Sequence, residues 1–138
     1  MRLFFDINVV LDVLAHREPW WEDSAAVLSL LEADGVDGLV AAHSITTLFY
    51  LATKHLSRAE ATAALLELLD VVTATPLDQD ILLRALSLGW EDFEDAVQGI
   101  SAQRARADYL VTRNLSDFAL LSVPVVTPGE LLAILRTG

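Results

Sequence analysis

The sequence predicts a three-layer α/β/α sandwich around a mostly parallel sheet of four to five strands. Two observations carry that expectation. Short continuous apolar runs, at residues 3–5, 38–41, 71–74, 109–112 and 125–126, alternate with longer stretches of helical periodicity. Strands without polar alternation belong to sheets covered on both faces, and strand–helix alternation makes such sheets parallel. The runs are also closed by turn or charged residues, Asp6 after the first and Pro76 after the third, which punctuate strand ends.

Leu3-Phe4-Phe5 opens the chain as a buried strand, with Asp6 at its end in a functional turn. From Asn8 onward Val9, Val10, Val13 and Leu14 recur at helical spacing. Residues 16–19 break the pattern and residues 20–33 resume it with Ala25, Leu28 and Leu31, so two helices follow the strand. Asp34 and Gly35 end the second helix. Residues 38–41 form a second strand, and Ser44 is the expected N-cap of a helix running through Lys54. Ser57 caps the next helix, whose apolar face holds Ala61, Ala64, Leu65 and Leu68. A third strand over 71–74 and a helix over 78–87 come next. Gly89 and Trp90 break the chain before a helix over 93–105, and the β-branched run 109–112 is a fourth strand. Val125-Val126 is a short fifth strand, and Pro128 opens a last helix that includes residues 130–135. No repeat, linker or low-complexity segment intervenes, so residues 1–138 are expected to form one domain.

Composition excludes several classes. With 54% hydrophobic and 21% charged residues the chain is too apolar for disorder. The absence of Cys removes disulfides, thiolate nucleophiles and Cys-ligated zinc together. Asp6 interrupts the first apolar run before a signal-peptide core can form. The longest uncharged stretch, residues 38–53, is punctuated by His43, Ser44, Thr46 and Thr47, and it falls short of the roughly 20 residues that span a bilayer. A soluble cytoplasmic protein is the expectation. The net charge of −11 has the wrong sign for a broad phosphate-neutralising face. A bound cation or a basic partner has to offset it.

In open parallel sheets ligands bind beyond the carboxyl ends of the strands, and the residues there are acidic. Asp6 ends the first strand, while Asn114 and Asp117 follow the fourth. Between them, Glu91-Asp92-Phe93-Glu94-Asp95-Ala96 puts Asp92 and Asp95 on one face at a helix start. Clustered carboxylates repel, and a hard divalent cation, Mg²⁺ or Mn²⁺, relieves them. Zinc calls for more His or any Cys, and His16, His43 and His55 lack a ligand spacing. Such a cation activates water and stabilises charge on a phosphodiester.

Each acid also has an ordinary reading. Asp92 reads as an N-cap, Glu94 as a solvated first-turn residue, Asp117 as the cap of a short helix from Phe118, and Asn114 as a turn residue. Asp12 reads as a surface or cap partner. Trp20, Trp21, Leu48, Phe49 and Tyr50 read as core or subunit-interface anchors rather than base-stacking platforms. No phosphate-binding P-loop, dinucleotide fingerprint or Gly-x-Ser-x-Gly elbow is present.

Three segments in order resemble the PIN-domain ribonucleases, especially the toxin halves of VapBC-type toxin–antitoxin modules. Residues 3–14, from Leu3-Phe4-Phe5-Asp6-Ile7-Asn8, look like that family's opening strand and first metal-binding aspartate. Phe93-Glu94-Asp95-Ala96-Val97-Gln98 is similar to its central acidic helix start, and Val111-Thr112-Arg113-Asn114-Leu115-Ser116-Asp117-Phe118 to its late signature. The resemblance implies that Asp6, Asp95 and Asp117 hold Mg²⁺ or Mn²⁺ and orient a water on an RNA phosphodiester. By the same resemblance Asp92 assists, Asn114 positions metal or substrate, and Asn8 fixes the turn around Asp6. Many members carry a Glu in the helix matching residues 44–50, whereas here no carboxylate occurs between Asp37 and Glu60. One ligand is therefore missing or replaced, and three alternatives stand open: Asp12 or Asp92 compensates, a single-metal site suffices, or catalytic power is weak.

An acidic, apolar-rich domain of this kind also implies a homodimer joined through hydrophobic helices, and an antitoxin that blocks the crevice with Arg or Lys. Two other functions compete with the ribonuclease. A haloacid-dehalogenase-like phosphatase would use Asp6 as nucleophile, but Asn8 stands where its second acid belongs and the sole Lys, Lys54, lies mid-helix. A degenerate PIN-like domain would bind a cation or basic partner without catalysis.

Overall fold

The computed structural model describes residues 1–137. Five strands, β1 (Arg2–Phe5), β2 (Asp37–Ala41), β3 (Val72–Thr75), β4 (Tyr109–Val111) and β5 (Val125–Val126), form one sheet in the order β3-β2-β1-β4-β5. All four pairings are parallel. The fold is thus α/β with helices on both faces of a five-stranded sheet.

Side-chain alternation along β1 divides the layers. Leu3 and Phe5 point into one core with Val9, Val27, Val40 and Leu48, supplied by α1 (Ile7–Leu14), α2 (Trp21–Ser29), β2 and α3 (Ala42–Ala52). Residues of α4 (Arg58–Val71) and α7 (Pro128–Thr137) complete that layer. Phe4 points the other way, onto Leu39, Ala102, Leu110 and Phe118, against α6 (Phe93–Arg104). Outside it lies α5 (Gln79–Ser87), whose Ile81 and Ala85 pack on Ala96, Val97 and Ile100 of α6. Gly38 in β2 is a close-packing point: an added Cβ would stand 2.6 Å from Leu31 Cδ1.

The chain winds outward from β1 through β2 to β3, then returns to place β4 on the other side of β1. Strand order therefore reverses between β1 and β4, the position where open α/β sheets leave a crevice. Phe5 is in register with Val111, and the Asp6 amide donates to the Val111 carbonyl at 2.9 Å. The ends of the two strands are level, so the loops after both open on the same crevice.

Several local expectations change. Ser44 is not an N-cap: α3 starts at Ala42 with Ala41 as its cap residue, and Ser44 is buried inside the helix. That helix stops at Ala52, before Lys54. Residues 20–33 split into α2 and a 3₁₀ turn at Leu30–Glu32. Val71 ends α4 rather than opening β3. Asp117 lies within a 3₁₀ turn, Leu115–Phe118, that Asn114 precedes. By contrast Ser57 forms a full capping box with Glu60, and Leu48 is core while Tyr50 is exposed. Among the described residues no helix is long and apolar enough to cross a membrane.

Candidate active site

Asp6 stands at the junction of β1 and α1 and is 3% exposed. It caps α1, its Oδ1 accepting from the Asn8 amide at 3.2 Å. Asn8 thus fixes this turn through its backbone. Gln98 Nε2 donates to the same oxygen at 3.3 Å, and Thr112 Oγ1 donates to Oδ2 at 2.9 Å. Burial pushes the Asp6 carboxyl above its usual range, against the lowering effect of those donors and of the Arg113 charge.

Asp92 does cap its helix, as its ordinary reading predicts: the Asp95 amide donates to its Oδ1 at 3.0 Å. Asp95, one turn in, accepts from Gln98 Nε2 at 3.3 Å. Burial and then the charges of Asp6, Asp92, Asp117 and Glu94 push its carboxyl up to about 7. Beyond β4, Asn114 Nδ2 donates to Asp117 Oδ2 at 2.7 Å, and the Asn114 amide donates to Thr112 Oγ1 at 3.2 Å. The residues of the three sequence segments therefore do meet at the switch point, around Asp95.

They occupy two adjoining depressions. A cavity of about 170 Å³ is lined by Asp6, Asp92, Glu94 and Asp95 together with Thr47 and Gln98. A wider cleft of about 750 Å³ is lined by Asp92, Asp95, Asp117 and aromatic Trp90 and Phe93. Asp92 and Asp95 form the wall between the two. Asp117 borders the cleft and not the small cavity.

Three side chains escaped the sequence reading. Glu94 is not a solvated first-turn residue: it is half-buried, its Oε2 accepts from Thr47 Oγ1 at 3.3 Å, and its Oε1 is buried without a partner. Burial, with Asp92 and Asp6 adding to it, raises its pKa against the Thr47 bond. Gln98 links Asp6 to Asp95, and its Oε1 accepts from the Ile7 amide at 3.2 Å. Its place one helical turn after Asp95 was the available signal. Thr112 is wholly buried against Asp6; its strand-end position marked it.

Asp12 is neither a surface acid nor a spare ligand. It is fully buried and pairs with two guanidiniums, Arg17 Nε donating to Oδ1 at 2.9 Å and Arg113 Nε standing 3.2 Å from Oδ2. It is absent from the lining of either depression.

Among the described residues no three or more Asp, Glu or His side chains are arranged as a ready-made ion cage. The donor chemistry nevertheless fits a hard divalent cation. Carboxylate and amide oxygens predominate, Glu94 Oε1 has no protein partner to lose, and neighbouring charge raises the pKa of Asp95.

Topology and acidic crevice define a class of small doubly wound α/β domains with carboxylates gathered at the strand-order reversal. The chain belongs to the PIN-domain family, whose profile, described as PIN domain, matches residues 2–116. It is similar to Ribonuclease VapC1 of Aquifex aeolicus (strain VF5), 24% identical over 134 residues that cover 94% of this chain and 92% of that protein. Among solved structures it resembles VapBC2 from Rickettsia felis bound to a promoter DNA fragment, with a TM-score of 0.69 at 14% identity, covering 92% of this chain and 98% of that one. A toxin–antitoxin complex from Klebsiella pneumoniae is similar at a TM-score of 0.68 and 26% identity, over 91% of this chain and 97% of that one.

Proposed function

We propose that this chain is a metal-dependent endoribonuclease that hydrolyses RNA phosphodiester bonds, and that it is the toxin of a toxin–antitoxin pair. The observation that carries the reading is the half-buried ring of carboxylates around Asp95, where burial first and then the charges of Asp6, Asp92, Asp117 and Glu94 push that group up to about 7. Burial and mutual repulsion together disfavour the empty, fully ionised pocket and favour occupation by a cation. Similarity to Ribonuclease VapC1 and to toxin–antitoxin structures supports the substrate and the partner.

In this reading Asp6, Asp92, Asp95 and Asp117 hold Mg²⁺ or Mn²⁺. When bound, the ion supplies an activated water and takes up charge on the phosphodiester. The catalytic residues are Asp6, Asp95, Asp117 and Asn114. Thr112 and Gln98 aim Asp6, Gln98 sets its spacing from Asp95, and Asn114 holds Asp117. Glu94 takes over from the carboxylate that α3 lacks: Thr47, on α3, points a hydroxyl at Glu94 instead of supplying an acid. Asp12 does not compensate, because Arg17 and Arg113 already engage both its oxygens.

The acidic cleft suits an antitoxin segment that inserts Arg. A homodimer is proposed as well: Leu66, Leu69 and Val71 of α4 and Leu83 and Leu86 of α5 are exposed apolar side chains, which a second copy covers. The competing reading, a cation-binding domain without catalysis, draws on the looser spacing of the acids, which form no ready-made cage among the described residues.

Cleavage of a labelled structured-RNA pool tests the proposal. Purified protein is expected to cut it with Mn²⁺ or Mg²⁺, and to stop doing so with EDTA or as the Asp6→Asn variant. An intact pool at high protein concentration would leave the non-catalytic reading.

A further inference from the structure

A chain of net charge −11 that takes RNA needs a local cation to receive phosphate. Arg113 stands two residues after β4, between Thr112 and Asn114, and its charge reaches Asp6. Its guanidinium carbon lies 3.8 Å from the centroid of the Trp20 ring. Its Nε lies 3.2 Å from Asp12 Oδ2. Arg17 holds the other Asp12 oxygen. One buried carboxylate thus serves two guanidiniums, and the trio carries a net positive charge beside the acidic pocket.

The bonding of Arg113 is incomplete. Among the described residues it donates no aligned hydrogen bond, and Asp12 Oδ2 remains buried without one. A guanidinium recruited only to neutralise Asp12 would turn its fork onto that carboxylate, the geometry that binds most strongly. Instead it lies over the face of the indole, held by charge and the cation–π contact, with its side chain 23% exposed and Trp20 40% exposed. A cation–π contact does not use up the guanidinium N–H groups, which stay available to an acceptor. Consecutive residues then divide the work: Thr112 and Asn114 face Asp6 and Asp117, and Arg113 flanks them.

We propose that Arg113, held against Trp20 by buried Asp12, is the substrate-positioning residue that takes a phosphate of single-stranded RNA next to the bond being cut. Asp12 and Trp20 act through it. The inference rests on the ribonuclease reading above, and its test separates the two.

RNA binding is measured by fluorescence anisotropy with a labelled single-stranded oligoribonucleotide and Mg²⁺, in the Asp6→Asn background so that nothing is cut, across a series of NaCl concentrations. Arg113→Gln is expected to weaken binding about tenfold and to flatten the salt dependence by about 0.7 in slope, the loss of one phosphate contact on a single strand. Arg113→Lys keeps the charge near Asp12, and with it the fold and the slope, but loses the fork and binds several-fold more weakly. In the active protein Arg113→Lys raises KM while kcat changes less than twofold, a split that a purely structural role would not produce. Unchanged affinity and slope in a folded Arg113→Gln, or unchanged affinity in Arg113→Lys, overturns the inference and leaves the ribonuclease reading standing. If the protein with native Arg113 and Asp6 neither binds nor cuts RNA in Mg²⁺, both fall.

Discussion

Thr112 donates its hydroxyl to Asp6 across 2.9 Å, joining the ends of β4 and β1 although the two residues are 106 positions apart in the chain. The bond is buried and its acceptor is a carboxylate, the kind worth about 1.5–3 kcal/mol. Thr112→Val keeps the shape and removes the donor, so Asp6 loses a bond that holds its pKa down. The Asp6 share of the penalty appears only where Asp6 is ionised, while the Asn114 amide loses its Thr112 acceptor at every pH. Urea denaturation is expected to show a variant less stable by about 1–2 kcal/mol at pH 8, with the gap narrowing toward pH 4. An equal gap at both pH values would refute the role assigned to the bond.

Asp95 titrates in the opposite sense to a salt-bridged acid. Its folded pKa of about 7 lies above the ordinary 3.8, so the native state holds a proton that the unfolded chain releases. The associated stability is present in full below pH 3.8 and is lost as pH rises through about 7. Asp95→Asn cannot ionise, and it is expected to exceed the parent in melting temperature at pH 8 and to match it near pH 4. Mn²⁺ should raise the melting temperature of the parent at pH 8 by more than that of the variant.

Removing Asp12 strands two arginines in place of a balanced network. Loss of one partner from a buried ion pair costs about 3–5 kcal/mol, and Asp12 is 0% exposed. Asp12→Ala should therefore unfold at distinctly lower urea than Asp117→Ala, which alters an exposed side chain. Equal midpoints would show that the network contributes nothing.

The carboxylate of Glu94 and the hydroxyl of Thr47 act together on the small cavity. Calorimetric titration with Mn²⁺ is the direct probe. Glu94→Gln is expected to weaken binding by at least tenfold, and Thr47→Val, which only loosens the orientation of Glu94, by about tenfold, the lower range for outer-shell partners. Full Mn²⁺ affinity in Glu94→Gln would return the search to Asp92 as the compensating acid.

Light scattering tests the dimer. The parent is expected at twice the chain mass, and Leu66→Glu, which charges the exposed α4 face, at the mass of one chain. A parent that runs as a monomer removes the proposal.

Where signals are local, the fold was legible from sequence. The run Leu3-Phe4-Phe5 with Asp6 behind it marks strand and turn, and Ser57 with Glu60 spells out a capping box. Ser44 misled because α3 begins without any side-chain cap: two alanines carry the chain straight out of β2, and Ser44 is buried inside the helix. In the site, Asp6, Asp92, Asp95, Asn114 and Asp117 were visible as acids and amides at strand and helix ends. Glu94 was not, since its exposure depends on how α6 meets Thr47 of α3. Asp12 was hidden for a related reason, one of its two arginines lying near it in sequence and the other beyond β4.

The reversal of strand order between β1 and β4 also orders events during synthesis. Asp6 is made before its donors, with Gln98 and Thr112 following it by 92 and 106 residues. Until β4 docks against β1, no fragment of the chain can enclose that carboxylate. Under the ribonuclease reading proposed above, a carboxylate held this way has no aimed geometry for cutting RNA until β4 has been made and has docked.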